Sequence, residues 1–183
     1  MATAHRLRRE RGRMDWGVGH LAVELAVLAA TGVAANSVEA QGLPSERVLP
    51  LSLASEAAAE ALAACEERGY RVSVAVVDRA GLVKVLLRGD GAGAHTLDSS
   101  SRKAYTAASL RHATTELVEL VQNNPSAAGL REMNEKILIL GGGLPITAGD
   151  QVVGGIGVGG APGGDKDEAC AKAGIDKIRE RLG

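Results

Sequence analysis

Phenylalanine is absent from this 183-residue chain, tryptophan occurs once, at Trp16, and tyrosine twice, at Tyr70 and Tyr105. Beyond the N-terminal segment a core must therefore be built from Ala, Val, Leu and Ile. The formal charge is −1, and no basic stripe interleaved with aromatics appears, which speaks against nucleic acid as a partner. There is no HExxH, nucleophile elbow or P-loop, so the zinc protease, α/β-hydrolase and P-loop readings fall away. The two cysteines, Cys65 and Cys170, have neither a CxxC partner nor metal-ligand spacing. Both fit apolar helix positions, which favours two buried thiols; in an exported chain the same pair could form one disulfide.

What is present begins with an N-terminal segment unlike the rest. Arg6, Arg8, Arg9, Arg11 and Arg13 form a basic head, an uncharged run extends from Leu25 to Ala35, and small residues follow. This is the layout of a secretory signal peptide, with cleavage after Ala35 or Ala40. His20 and Glu24 precede the uncharged run, and the alternative is a plain N-terminal extension. Losing residues 1–40 removes five of the 21 basic and four of the 22 acidic groups, leaving 16 against 18. We assign 1–40 to this segment, 41–50 to a linker and 51–183 to one domain, long enough to bury a core.

Along the domain, Leu51, Ala54, Ala58, Ala61, Leu62 and Cys65 share one helical face and Glu56, Glu60 and Glu67 another, predicting a helix over 51–68 stopped by Gly69. Residues 72–77 read as a buried strand, Asp78-Arg79-Ala80-Gly81 as a turn, and 82–88 as the returning strand. Residues 89–96 are glycine-rich and read as a loop. Asp98-Ser99-Ser100-Ser101 can cap a helix running to about Leu110, and a further helix covers 114–121. Residues 126–135 form a polar connection and 137–140 a short apolar run. A final helix over 166–182 places Ala171, Ile175, Ile178 and Leu182 on one face.

Ahead of that last helix stand two glycine-rich elements, Gly141-Gly142-Gly143-Leu144-Pro145-Ile146 and Val153-Gly154-Gly155-Ile156-Gly157-Val158-Gly159-Gly160. Glycine within a strand marks a place where another backbone or a ligand comes close. A dinucleotide fingerprint would need a parallel βαβ setting, whereas these residues read as a hairpin. The element order gives an α+β (α/β) domain: an antiparallel sheet flanked by helices, with a glycine-rich C-terminal hairpin and a C-terminal helix.

Six motifs in order carry a resemblance: Val74-Ala75-Val76-Val77-Asp78 with Gly81; Arg88-Gly89-Asp90-Gly91-Ala92; Lys103-Ala104-Tyr105-Thr106-Ala107; Thr114; Gly142-Gly143-Leu144-Pro145-Ile146; and Val153-Gly154-Gly155-Ile156-Gly157-Val158 through Asp165-Lys166-Asp167-Glu168-Ala169-Cys170. From about Leu51 to Leu182 the chain resembles the HbpS/GlcG-like haem-binding family, also described as a haem-degrading domain. The resemblance implies homo-oligomers, with octamers known, and binding of haem or, in relatives, a corrinoid. It also implies links to haem sensing and peroxide defence in an exported branch and to glycolate or diol metabolism in others; a membrane sensor partner belongs to the reading of the chain as a regulatory oligomer.

The resemblance places the haem-ligating threonine at Thr114. Relatives often carry Phe-Gly-Arg-Pro before it, where this chain has Leu110-Arg111-His112-Ala113. His112 is a rival iron ligand, because a neutral imidazole binds iron better than a hydroxyl. Thr114 also reads as a helix N-cap and His112 as a surface histidine. Arg88 and Lys103 are cations near loop ends, suited to haem propionates or to ordinary salt bridges. His95 falls in the glycine-rich loop, Asp78 and Asp90 are turn residues, and Tyr105 packs more readily than it ligates. Three functions follow: an exported haem- or tetrapyrrole-binding protein, periplasmic or extracellular; an enzyme of haem breakdown or of small organic acids; or a non-catalytic structural or regulatory oligomer.

Overall fold

A computed structural model of the chain describes Gly42 and residues 45–183; the expected signal segment and most of the linker lie outside the described residues. Helix α1 spans Leu51–Glu66, strands β1 Ser73–Asp78 and β2 Val83–Arg88, helices α2 His95–Leu110 and α3 Thr114–Asn123, strands β3 Gly143–Ala148 and β4 Gln151–Gly159, and helix α4 Gly164–Ile178. Short 3-10 segments occupy Pro125–Glu132 and Arg179–Arg181. The four strands form one antiparallel sheet in the order β2-β1-β4-β3. This is the expected α+β architecture.

The two hairpins close as their turn residues dictate. Asp78 accepts from the amides of Ala80 and Leu82 at 2.9 Å each, and Gly81 takes the positive φ of 78°. Helices cover both faces of the sheet. Val74, Val76, Ile156 and Val158 point into a core shared with α1 and α4, and Ala75 and Val77 into a second cluster with Ala104 and Ala108 of α2. That two-sided burial is why β1 reads as a continuous apolar run rather than an alternating one.

The glycines of β4 belong to α2. A Cβ on Gly155 would meet the carbonyl of Ala104, one on Gly157 the carbonyl of Ser100 and the amide nitrogen of Ala104 at 2.5 Å, and one on Gly159 the hydroxyl of Ser99 at 2.5 Å. Helix backbone thus lies directly on strand backbone. On the other face, small residues let α1 and α4 cross closely: a Cβ on Gly174 would sit 3.0 Å from that of Ala61 and collide with the carbonyl of Ala57.

At that crossing Cys65 and Cys170 form a disulfide, with their Cα atoms 5.5 Å apart. The expectation of two buried thiols is thereby corrected: both positions are apolar and buried, as expected, but the small residues beside them bring the two helices within bridging distance.

Other details differ from the sequence reading. Leu51 is exposed, and the buried face of α1 is carried by Leu53, Ala54, Ala57, Ala58, Ala61, Ala64 and Cys65. Helix α2 starts at His95, earlier than the proposed cap, so His95 opens the helix and is exposed. Ser99, Ser100 and Ser101 lie inside it, bonding back to the carbonyls of Thr96 and Leu97. Ile137 and Ile139 pack on Leu117 and Val121 without joining the sheet, because their segment is held by side chains: Thr106 Oγ1 accepts from the Leu138 amide at 2.8 Å, and Arg102 donates to the Ile137 carbonyl at 2.8 Å. Leu49, within the expected linker, is buried in the main core. Helix α4 ends at Ile178, with a 3-10 turn after it.

The glycine face makes a direct prediction. Gly157→Ala forces a methyl into the backbone of α2 and should lower unfolding free energy by about 2–3 kcal/mol in denaturant titration; a change below about 0.5 kcal/mol would mean that α2 does not rest on this strand.

Candidate functional site

The middle of the first glycine element is a junction between α2, α3 and α4. Lys103 is buried, and its Nζ donates to Asp167 Oδ2 at 2.7 Å and to the Val158 carbonyl at 2.9 Å. Asp167 Oδ1 in turn accepts from the Ala161 amide at 2.9 Å. Burial pushes the Asp167 carboxyl above its ordinary value, opposed by its hydrogen bond and charge attraction to Lys103 and by backbone donors at Ala161 and Gly160. Gly142, at φ 116°, fills the space beside this pair: a Cβ there would lie 2.6 Å from that of Asp167 and 3.0 Å from the Lys103 nitrogen. Lys103 is thus engaged within the fold, not presented to an incoming carboxylate.

Thr114 is fully buried in the first turn of α3. Its hydroxyl accepts from the Gly143 amide at 2.8 Å and lies 3.4 Å from the Gly143 carbonyl as donor. Gly143 therefore turns its backbone polar groups away from β4, and the threonine covers them at the free edge of β3. Two residues on, Pro145 has no N–H to offer. A threonine and a proline together blunt this edge against further strand pairing. The expected cap role of Thr114 is not seen, since α3 carries no side-chain cap bond and its N-cap position is Ala113.

Alongside that edge runs an open groove of about 680 Å³. Its floor includes Leu144, Pro145 and Ile175, and its near wall is the α2–α3 connection, with His112 and the first turn of α3. The far wall is α4. His112 is 63 % exposed, and its Nδ1 lies 3.2 Å from Glu116 Oε2 one helical turn on. Thr115 donates to Glu168, bridging the starts of α3 and α4 across the groove. Lys172 and Arg179 both pair with Asp176 on the rim, and these two cations hold the Asp176 carboxyl below its ordinary value.

The four residues singled out from sequence are therefore not brought together. His112 lies in the groove. Thr114 lies just behind it, turned inward. Arg88 is exposed on β2, at the opposite edge of the sheet, with its Nε donating to the Ala92 carbonyl at 2.8 Å. Lys103 is spent on Asp167. What sequence reasoning missed is the α4 wall, with Glu168 and Lys172: the apolar positions of this helix show which face is buried, and nothing in the sequence says which exposed side faces β3. Among the described residues no cluster of three or more His, Cys, Asp or Glu is placed to hold a metal ion on its own.

Comparison with known proteins adds the following. The family model described as "Haem degrading protein HbpS-like" matches residues 49–176. HbpS of Streptomyces reticuli, crystallised as a double mutant, is 46 % identical, with a TM-score of 0.69 over 78 % of this chain and 97 % of that one. The PduOC–haem complex is 25 % identical, with a TM-score of 0.67 over 72 % of this chain and 96 % of that one. An uncharacterised 15.0 kDa protein from the dhaT–dhaS intergenic region of Citrobacter freundii is 34 % identical over 141 residues, covering 74 % of this chain and 97 % of that protein.

The buried pair predicts coupled behaviour. Asp167→Asn or Lys103→Met alone should cost about 3–5 kcal/mol, because each strands a buried partner, and the double variant should cost clearly less than the sum. Native Asp167 holds its proton to higher pH than the unfolded chain does, whose carboxyl releases it near 3.8. Its contribution to stability is thus fullest below that pH and is lost as pH rises through the raised native value. A pH series of unfolding free energies should show that downward slope in the wild type, and Asp167→Asn should lack it. Strict additivity of the two single variants would refute the pairing.

Proposed function

The chain belongs to the HbpS-like haem-degrading protein family, and from that premise we propose that it is a haem-binding protein whose site is the groove between α3, β3 and α4. The observation that carries this reading is an exposed imidazole, His112, in a wide groove with an apolar floor. A flat tetrapyrrole needs apolar surface for its faces and one donor atom for its metal, here an imidazole nitrogen, and both are present. Haem binding by relatives, of which PduOC is one, supports the reading. When bound, haem would supply iron for sensing, storage or peroxide chemistry; the protein's own part is to hold it at His112 against the β3 edge. Thr114 would reach iron only by giving up its bonds to Gly143, so the geometry supports His112 as the ligand. A corrinoid is the alternative ligand within the same groove.

Export fits the same reading. The Cys65–Cys170 disulfide is the kind of crosslink that forms and persists in an oxidising compartment, which supports the signal-peptide interpretation of residues 1–40 and a periplasmic or extracellular location. Homo-oligomers, drawn from the family resemblance, and a membrane sensor partner for a regulatory oligomer are further elements of the proposal. Peroxide-dependent haem breakdown is a second reading, favoured by the family's description as haem-degrading.

Haemin titrated into the protein lacking residues 1–40 should give a saturable Soret shift, and a flat titration at stoichiometric concentration would end the haem reading. His112→Ala should change the Soret position and weaken uptake about tenfold or more, whereas Thr114→Ala should chiefly lower stability, by about 1–3 kcal/mol, by uncovering the Gly143 groups. If the enzymatic reading holds, peroxide will bleach bound haem faster than free haem; equal rates dismiss it.

A further inference from the structure

One residue of the groove is unexplained by the fold around it. Arg111 ends α2 in the left-handed conformation, at φ 60° and ψ 29°, and is the one non-glycine residue among the described residues with a positive φ. Glycine is the usual occupant of such a position, because a residue with a Cβ pays roughly 1 kcal/mol there. The structural task at this site is done by the backbone alone, whose amide donates to the Ala107 carbonyl at 2.9 Å. Nothing in that task calls for a guanidinium.

The side chain is exposed and lines the groove beside His112. Its charge is also uncommitted. Of the other groove cations, Lys172 and Arg179 share Asp176, whereas Arg111 has no carboxylate within ion-pair distance among the described residues. The acids of the adjoining depression that it also lines are Glu46, which pairs with Arg79 at 2.7 Å, and Asp150. On the same wall Glu116 is bonded to His112; across the groove Glu168 is bonded to Thr115 and Asp165 pairs with Lys166 at 3.7 Å.

We propose that Arg111 is the carboxylate-recognising residue of the groove, its guanidinium engaging a propionate of the bound tetrapyrrole next to the imidazole that faces the metal. A planar guanidinium matches a carboxylate in a two-pronged contact, and an unpaired one on a groove rim is available for it. Arg111 then takes the role that Arg88 and Lys103 cannot fill from their positions. The inference rests on the haem reading of the groove and adds the anchor that selects for acidic tetrapyrroles over neutral ones.

The test uses a substitution that should help the fold while harming the site. Arg111→Gly relieves the left-handed strain, so its melting temperature should equal or exceed that of the wild type, yet it should bind haemin about ten- to a hundredfold more weakly, the loss of a charge-assisted contact. Haemin dimethyl ester, which lacks the propionate charges, should bind wild type and variant equally, and Arg111→Lys should fall between the two for haemin. If wild type takes up neither compound, the haem reading falls and this anchor with it. If wild type binds haemin and Arg111→Gly binds it equally well, only the anchor role is overturned. Equal weakening towards haemin and its ester would likewise overturn it, showing that the residue merely positions His112, and a lowered melting temperature would overturn it by showing that the side chain serves the fold.

Discussion

Helix α2 resting backbone to backbone on β4 is the contact from which the rest of this domain follows. A chain without phenylalanine cannot fill a thick layer between helix and sheet, so the layer has to be thin. Gly155, Gly157 and Gly159, two residues apart and hence on one face of the strand, remove the side chains that would hold the helix away. Ala104 and Ala108 do the same from the helix side. Close approach increases dispersion contact per residue, which offsets the small apolar area each alanine or valine can bury. The α1–α4 pair on the other face uses the same device, with Gly174 against Ala57 and Ala61 and the disulfide beside them.

That close seating has a consequence at the end of the strand. Lys103 lies on α2 at the height of Gly157, so its side chain enters the protein rather than solvent, and its ammonium must be met there. Asp167, in the first turn of α4, meets it, and Val158 and Ala161 supply the remaining polar contacts. One buried pair thus ties the helix on one face of the sheet to the helix on the other. Gly142 is glycine for the same reason, since both its positive φ and its proximity to the pair exclude a side chain. The specificity of this arrangement comes from the cost of leaving either charge alone, more than from the attraction itself.

Much of this was legible in the residues. The hairpins, the helices and their order follow from apolar periodicity and turn chemistry, and the motifs from Val74 to Cys170 carry the family resemblance by themselves. The glycine elements announced a close approach but not its partner, because period-two glycines look alike whether a helix, a subunit or a ligand lies on them. Helix α2 begins earlier than its cap-like Asp98-Ser99-Ser100-Ser101 run indicates, because the three serines bond backwards within the helix instead. The site was harder still. Thr114 and His112 are two residues apart, yet the helix start turns one inward to Gly143 and the other outward to the groove, and no one-dimensional pattern carries that divergence. The disulfide was equally hidden, since a cysteine at an apolar helix position packs well whether or not a partner faces it.

The groove owes its position to the same economy of volume. The glycine face of β4 is fully occupied by α2, so it has no room for a ligand, and β1 is covered on both sides. The two edge strands retain uncovered side chains, β2 at Val83, Leu86 and Arg88 and β3 at Leu144, Pro145 and Thr147; on β3 the chain avoids pairing with another strand through Thr114 on the Gly143 groups and through Pro145. An edge that rejects strands while keeping an apolar surface is suited to a flat partner that makes no backbone ladder. The walls on either side are set by rigid parts: α4 is fixed through Cys170 and Asp167, and the α2–α3 connection through the Arg111 amide and the Thr114 hydroxyl. His112 and Arg111 thus project from a connection that is short, strained at one residue and anchored at both ends, the condition under which a polar side chain can meet a ligand with little loss of conformational freedom.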